Sequence, residues 1–371
     1  MRPREASGSH RYALTCQTTC VNLQILNRDV AIAAVPGRVT VTPLSANEPV
    51  RRKAFPSRLL RSNELGILLV LLLLILAVGI SNPKFWTIAS LANFGARAAW
   101  FGIIALGVVF LLSMGEIDLS TGSIYGLTIN AAAVLMVKAS INPWIAAFIG
   151  LLIGVGLGGL NALLCSILRL PVIIVTLGTL SVFRGLALVL NGGGFLYGLP
   201  RQHPYFVVLG SAPLGLPLVI WVFAALTALL SVVYRFTRYG FLVRAIGSNR
   251  RAAEMSGIPI SRVRLWTLML VGGLCGASGM MTLAFFSTAD PNLGTAYELL
   301  AITAAIIGGT ALSGGRGTVL GAMLGSLVIA VISSGIVQFG VSANWSMLVT
   351  GAMIIAAVGL DSAVRRRQEQ S

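Results

Sequence analysis

Long apolar segments without charge recur along the chain from residue 64 onwards. Residues 65–80 and 100–112 contain no charged residue, and about 20 apolar residues in a helix span the ~30 Å hydrocarbon core of a bilayer. Apolar windows between prolines, glycines and charged breaks predict ten spanning helices. They lie near 64–81, 95–113, 120–138, 145–168, 172–190, 214–234, 265–286, 297–312, 317–339 and 345–361. The predicted fold is an all-α polytopic membrane protein.

The segment before the first span has a different pattern. Residues 1–50 mix polar residues with short apolar patches and show neither helical nor strand periodicity over a useful window. They lack the early apolar region and small-residue cleavage site of a signal peptide. We predict a tail at 1–62, either disordered and cytoplasmic or preceding the true start codon. A transmembrane domain follows at 63–364, with a basic C-terminal tail at 365–371.

Composition excludes a soluble domain. Hydrophobic residues make up 56% of the chain and charged residues 10%, against roughly 25% charged residues in a soluble domain. A formal charge of +16 is also compatible with nucleic-acid binding, but such proteins gather their basic residues on one face. Here the basic residues separate apolar runs, as in cytoplasmic loops of membrane proteins. We therefore expect a lipid bilayer as partner and no nucleic acid.

The basic residues also predict orientation. Ten spans place both termini on one side. With the N-terminus inside, the inner segments from residue 51 onwards hold 17 Lys and Arg residues, and the outer side holds only Lys84, Arg97, Lys138 and Arg201. The positive-inside rule then places both termini in the cytoplasm.

The inner loop at about 235–264 is the most basic. It holds seven arginines and a single acid, Glu254. Such a loop either offers a surface to a cytoplasmic partner or merely obeys the topology rule.

A short helix is predicted within this loop. Asn249 is a good N-cap, Arg250–Ser256 contain no helix breaker, Gly257 favours the left-handed conformation that ends a helix, and Pro259 prevents its continuation. We expect two helical turns.

Neither metal nor nucleotide chemistry is indicated. Cys16 and Cys20 form a C-x3-C pair without a second pair or a histidine cluster. Residues 154–159 satisfy G-x-G-x-x-G but lie inside an apolar helix, where small residues let helix backbones approach closely. Residues 309–318 resemble a phosphate loop without its Lys-Ser/Thr pair. We expect no metal, no cofactor and no ATP site in this chain.

Two acids stand at the end of an apolar span. Glu116 and Asp118, with Ser120 beside them, are functional candidates because an unpaired charge at membrane depth is costly. Glycines and hydroxyls nearby permit a helix break that lines a cavity. Two interpretations stay open: a contribution to the translocation path, or a helix cap in the headgroup region.

Other polar residues fall within or beside the predicted spans. Arg184 is the sole arginine placed firmly inside one, with Glu298 or Asp290 as possible partners, and it serves either a structural ion pair or a substrate. Asn191, Tyr297 and Asn344 are predicted near the outer side, where they offer amide or hydroxyl groups to a sugar.

Three segments together resemble the permease subunit of bacterial ABC importers for monosaccharides, the ribose/xylose type. Gly115-Glu-Ile-Asp-Leu-Ser-Thr-Gly-Ser123 is similar to that family's G-G-I-D-L-S-V-G-S motif, with departures at Glu116 and Thr121. The second segment runs from Leu170-Pro171 to Asn191-Gly-Gly193, and the third from Tyr239-Gly240 to Gly317. The resemblance covers about 64–362.

The resemblance implies a transport subunit of the inner membrane rather than an enzyme. It implies three partners: an ATP-binding subunit that hydrolyses ATP, a second permease chain and a periplasmic sugar-binding protein. It also implies that the short helix docks on the ATPase. The residues implied in this coupling are Gly247, Asn249, Arg250, Ala253, Glu254, Gly257, Ile258 and Pro259.

Three other functions compete with a sugar permease. Permeases for branched-chain amino acids or nucleosides share related architecture, but the motif wording favours a sugar. An ion-coupled secondary carrier often places acids within broken helices, as Glu116 and Asp118 suggest, yet it has no use for a docking helix. An enzyme is disfavoured because no nucleophile, base and orienting group converge.

Overall fold

The computed structural model describes residues 30–35, 38–43 and 63–338, together with scattered helical positions at 345, 348, 351, 352, 355 and 359. The chain divides into two compact units, 1–56 and 57–371. Predicted site residue Asn344 and most of the predicted span at 345–361 lie outside the described residues.

All the regular secondary structure in the described part of the larger unit is helical. Its α-helices are α1 (Asn63–Ser81), α2 (Ile88–Ser113), α3 (Thr121–Val137), α4 (Pro143–Leu168), α5 (Val172–Asn191), α6 (Pro204–Leu209), α7 (Leu218–Phe236), α8 (Arg238–Ser248), α9 (Arg250–Met255), α10 (Ile260–Phe286), α11 (Tyr297–Ile307) and α12 (Val319–Gln338). Short 3-10 turns occupy Pro83–Trp86 and Pro213–Gly215. The predicted helical class is confirmed for this unit.

The smaller unit contains a β-hairpin that the sequence analysis did not predict. Strand β1 (Val30–Val35) pairs antiparallel with β2 (Arg38–Pro43), and Val35 lies opposite Arg38. Both strands are rich in valine, isoleucine and threonine, which favour extended backbone, and only Pro36-Gly37 separates them. A window of six residues was too short to stand out in the hydrophobic pattern.

Six described helices are long and apolar enough to cross a membrane by length and composition: α1, α2, α4, α5, α7 and α10. Three further predicted spans form the shorter apolar helices α3, α11 and α12. The 11 residues of α11 cover only about 16 Å, because the helix begins at the predicted residue 297 but ends five residues before the predicted 312. The preceding stretch 287–296 is not helical. The count of ten spans stays a prediction.

Helix boundaries also correct the placement of arginines. The side chain of Thr87 accepts a hydrogen bond from Ser90 N, and α2 begins at Ile88, seven residues before the predicted start. Helix α2 therefore includes Arg97, and α10 includes Arg262 and Arg264. Arg184 is not the sole arginine within a candidate span.

Helices α2 and α10 form the centre of the bundle. Their spans are 89% and 72% buried, whereas α1 is 17% buried. Both central helices pack on neighbours around most of their circumference, whereas most residues of α1 stay at least partly exposed. The site residues described below lie on segments attached to this centre.

Helices α4 and α10 cross at glycines. A Cβ atom on Gly154 would lie 3.2 Å from Gly276 Cα, and one on Gly276 would lie 3.1 Å from Leu151 Cα. Gly158 likewise faces the backbone of Leu268 and Met269. Gly154 and Gly158 therefore serve close helix packing, as predicted for this small-residue segment, whereas an added Cβ on Gly156 would have no described atom within 4 Å.

Candidate functional site

The connection between α7 and α10 contains two helices. The shorter one, α9, matches the predicted short helix: Asn249 Oδ1 accepts a hydrogen bond from Ala252 N at 3.0 Å. At its end Gly257 has φ +75°, and Ile258 N donates to Ala253 O at 3.0 Å, which is a Schellman motif. Pro259 then precedes α10. Helix α8 was not predicted; its buried Gly240, Val243 and Ile246 recur every three residues.

The other residues of the predicted coupling loop occupy defined places. Ala253 is buried and Glu254 is exposed. Gly247 of α8 packs against Ser113 and Gly315, so that no Cβ atom fits there. Tyr239 and Thr267 hydroxyls lie 2.7 Å apart and tie α8 to α10; burial raises the pKa of Tyr239 to about 12. The connection is thus held to the bundle along its length.

Glu116 joins this connection to the bundle. Gly115 has φ +74°, which lets the chain turn sharply after α2. The Glu116 carboxylate accepts hydrogen bonds from Arg264 Nε at 2.8 and 3.0 Å and Nη2 at 2.5 Å. It also accepts one from Arg250 Nη1 at 3.3 Å. One carboxylate therefore links the α2–α3 turn, α9 and α10.

Asp118 has separate partners. Its Oδ1 accepts hydrogen bonds from Ser120 N at 2.7 Å and Ser120 Oγ at 2.6 Å, and Ser120 Oγ accepts one from Asn161 Nδ2 at 2.8 Å. Asp118 is 2% exposed, and its Oδ2 has no hydrogen-bond partner among the described residues. The bonds to Ser120 shape the turn that starts α3. The N-cap position of α3 is Ser120, without a side-chain capping hydrogen bond, and the two interpretations of the acids stay predictions.

Arg184 of α5 holds the stretch between α10 and α11. Its Nη1 donates to Pro291 O at 3.0 Å and to Leu293 O at 2.8 Å. In the described residues it makes no ion pair with the predicted partners Asp290 and Glu298. The guanidinium instead satisfies carbonyl groups of a non-helical segment, which hydrocarbon would leave unpaired.

Two asparagines hold the same stretch at Asp290, the residue before Pro291. Asn130 Nδ2 donates to Asp290 O at 3.2 Å and to Gly126 O at 2.7 Å. Asn191 Nδ2 donates to Asn130 Oδ1. Asn191 thus acts on the stretch through Asn130.

Glycines of α3 make room for this stretch. A Cβ atom on Gly126 would lie 2.7 Å from Leu293 O and 3.1 Å from Arg184 Nη1. Gly122, one turn earlier, faces Gly294 and the Glu298 carboxylate, whose Oε2 has no hydrogen-bond partner within the part of the chain that the structure describes. Residues 287–296 therefore run along α3, and α11 begins inside the bundle.

Tyr297 begins α11 in an aromatic setting. Its ring centroid lies 5.1 Å from that of Tyr125 and 6.2 Å from that of Phe101, and Tyr125 OH donates to Thr282 Oγ1 at 2.8 Å. Tyr297 thus packs between α2 and α3.

Sequence reasoning missed several of these residues. Asn130 and Asn161 are polar residues in apolar helices, a signal that marks functional candidates. Gly122, Gly126 and Asn130 recur every four residues and so share one face of α3. Arg264 was counted only for topology.

The arrangement suits passage through a membrane better than covalent chemistry. Its described parts are the non-helical stretch 287–296 with hydrogen-bonded carbonyls, the buried carboxylates of Glu116 and Asp118, and the helices α8 and α9 outside the long spans. No group of three or more His, Cys, Asp or Glu residues within the described ranges has the geometry to hold a metal ion.

Comparison with known proteins decides the family. The family of branched-chain amino acid transport system permease components matches residues 90–358. The chain belongs to this permease family. The match includes the α2–α3 turn, the α7–α10 connection, and the stretch 287–296 with α11 of this permease.

Individual relatives extend the similarity. The permease is 36% identical over 298 residues to the ribose import permease of Bacillus subtilis (strain 168), covering 80% of this chain and 92% of that protein. It is 32% identical to the ribose import permease of Escherichia coli (strain K12), with the same coverage. It is 30% identical to the D-allose transport system permease of E. coli (strain K12), covering 82% of this chain and 93% of that protein. No solved structure gives a significant match.

These findings confirm the resemblance stated from the sequence motifs. The permease is a multi-pass inner-membrane protein. It is a transport subunit rather than an enzyme.

Proposed function

We propose that the permease is the membrane subunit of an ATP-driven, binding-protein-dependent importer that carries a monosaccharide into the cytoplasm. The observation that carries the proposal is the similarity to permeases named for ribose and D-allose over four fifths of this chain and more than nine tenths of theirs. An L-arabinose permease of Azospirillum brasilense is also 29% identical over 340 residues. Pentoses, deoxyhexoses and related polyols are the expected substrate class.

A branched-chain amino acid is the alternative substrate, as in the description of the family. The names of the individual relatives favour a sugar instead. An ion-coupled carrier is disfavoured because Glu116 is neutralised by two arginines and so is poorly suited to bind a coupling ion.

The proposed topology has ten spans with both termini in the cytoplasm. Six described helices meet the length and hydropathy of a span, and α3, α11 and α12 are shorter apolar helices. Residues 287–296 with α11 would make one broken crossing, since non-helical backbone at membrane depth is tolerated where protein buries it. The arginines of the α7–α10 connection favour the cytoplasmic side for it.

The proposed partners are an ATP-binding subunit, a second permease chain and a periplasmic sugar-binding protein. Helix α9 would receive the ATPase. Its Arg250 contacts Glu116, which also contacts Arg264 of α10. Movement of α9 would therefore pass through one carboxylate to α10 and to the α2–α3 turn.

The broken crossing would line the translocation path. Arg184 and Asn191 stand on α5, Asn130 on α3, and together they fix the carbonyls of residues 290–293. A shift of α5 would displace that stretch and the Tyr297–Glu298 turn with it. Arg184 and Asn191 are thus proposed to position the path rather than to clamp the sugar.

Competition for uptake tests the substrate class. Cells that express the permease with its neighbouring transport genes take up a panel of radiolabelled ribose, allose, arabinose and leucine. We expect uptake of one of the sugars, unaffected by excess leucine. Uptake of leucine that no sugar inhibits would favour the amino-acid alternative.

A further inference from the structure

A cavity of about 530 Å³ opens where α4 ends, α5 begins and α9 approaches α10. Three arginines line it: Arg169 at the C-cap of α4, Arg250 of α9 and Arg264 of α10. Ser166 and Ser261 add hydroxyl groups. Arg169 has no role in the proposed transport mechanism.

Positive charge exceeds negative charge in this cavity. Glu116 is the sole acid in its lining, and its carboxylate bonds to Arg264 and Arg250. Arg169 makes no ion pair within the described part of the chain. Arg250 also pairs with the exposed Glu254 at 3.7 Å. Three guanidinium groups therefore face two carboxylates, and Arg169 supplies one uncompensated positive charge.

Backbone donors add to this positive character. Val172 and Ile173, the first residues of α5, line the cavity. The first N–H groups of a helix lack intrahelical acceptors and carry the positive end of the helix dipole. The first turn of α5 holds no acidic residue that would accept from them.

We propose that this cavity binds the phosphate group of a small phosphate-bearing ligand. A phosphate monoester carries about −1.5 to −2 charges at neutral pH. The charge of Arg169 and the backbone donors of α5 would offset part of it, and Arg250 and Arg264 can add donors by turning from Glu116. Guanidinium forks bind phosphate oxygens in bidentate fashion. The volume lies within the 300–1,000 Å³ common for small-molecule pockets, which leaves space for a polyhydroxyl group beside the phosphate.

Occupancy of the cavity has a mechanical consequence, which rests on the proposed transport function. A bound phosphate competes with Glu116 for Arg250 and Arg264. The contact of α9 with the α2–α3 turn is thereby weakened. Uptake then slows when the ligand accumulates on the side of the membrane where the cavity opens.

Binding to the full-length permease tests the site without depending on transport. The protein is placed in phosphatidylcholine nanodiscs, and radiolabelled inorganic phosphate is titrated by equilibrium dialysis. The test variant is Arg169→Asn, because Arg169 has φ +55° and asparagine tolerates that conformation. The matched control is Arg238→Asn, an exposed arginine at the start of α8 outside the cavity.

We expect saturable binding of one phosphate per chain to the wild type and to Arg238→Asn. In Arg169→Asn the affinity for phosphate should fall by about tenfold or more. Arg169→Lys, which keeps the charge, should bind close to the wild type. Absence of saturable binding, or equal weakening in Arg169→Asn and Arg238→Asn, would overturn the proposal.

A second set of nanodiscs with added phosphatidylglycerol identifies the source of the phosphate. Unchanged binding of inorganic phosphate assigns the cavity to a soluble ligand. Binding lost only in the presence of phosphatidylglycerol assigns the same phosphate site to a lipid headgroup.

Discussion

At the scale of single residues, Glu116 and Asp118 show how two acids two positions apart acquire different roles. Glu116 is 8% exposed and bonds to arginines of α9 and α10. Asp118 turns inward and bonds to Ser120 at the start of α3. A charge at such depth is retained only when a partner satisfies it, and each acid has its own.

Replacing Glu116 with glutamine should destabilise the permease. Arg264, whose side chain is 12% exposed, would lose a charged acceptor, at a cost of about 2 kcal/mol. The midpoint of thermal unfolding in detergent measures the loss.

The control for Glu116→Gln is Glu254→Gln. Glu254 also pairs with Arg250, at 3.7 Å, but its side chain is 59% exposed, so the pair contributes less than about 0.5 kcal/mol. Equal shifts of the midpoint in both variants would contradict the role given to Glu116.

The sequence predicted local features at this scale better than distant ones. The caps of α9 at Asn249 and Gly257 depend on neighbours within a few residues, and they were predicted. The Glu116–Arg264 pair joins residues 148 positions apart, and the alternatives for Arg184 named carboxylates where the structure has carbonyls. Tertiary packing decides such pairs, and one sequence does not reveal it.

At the scale of elements, the predicted spans 265–286 and 297–312 leave residues 287–296 outside any helix, as the structure does, but α11 ends at Ile307, five residues before the predicted end. A hydropathy window assigns a full span to 297–312, because it senses composition and not the path of the backbone. The structure starts α11 at Tyr297 within the bundle and runs 287–296 along the glycine face of α3. Glycine spacing in α3 is the sequence signal that accompanies this arrangement.

Gly126→Ala should damage this packing. The added Cβ would meet Leu293 O at 2.7 Å, and overpacking of this kind costs about 1–3 kcal/mol. We expect a lower unfolding midpoint and slower uptake.

Gly156→Ala in α4 is the control for Gly126→Ala, since no atom lies within 4 Å of the added Cβ. Its unfolding midpoint should stay unchanged or rise slightly, as alanine favours helix. A neutral Gly126→Ala would show that the stretch does not pack closely on α3.

Gly257→Val should separate ATP hydrolysis from uptake. Gly257 has φ +75°, a conformation that costs a β-branched residue roughly 1–2 kcal/mol, so the corner between α9 and α10 should rearrange. In the assembled importer we expect ATP hydrolysis to continue while uptake falls, with the amount of permease in the membrane unchanged.

Gly257→Asn provides the comparison, because asparagine adopts the same backbone conformation readily. It should retain uptake. Normal uptake in Gly257→Val would contradict the proposed transmission through α9.

At the scale of the whole molecule, composition and motif wording were sufficient for the class and the family, since both are spread over most of the chain. The central burial of α2 and α10 gives the bundle a fixed centre. The α7–α10 connection attaches to that centre through Glu116 and Arg264. The broken crossing attaches to it through Tyr297, which packs on Phe101 of α2. The proposed importer uses the connection to receive force and the broken crossing to open a route.

The most direct test of this account is uptake by proteoliposomes that contain the permease, the ATP-binding subunit and the sugar-binding protein encoded beside it. We predict ATP-dependent accumulation of a monosaccharide that stops when any one component is withheld. Accumulation by the permease alone, driven by an ion gradient without ATP, would contradict it.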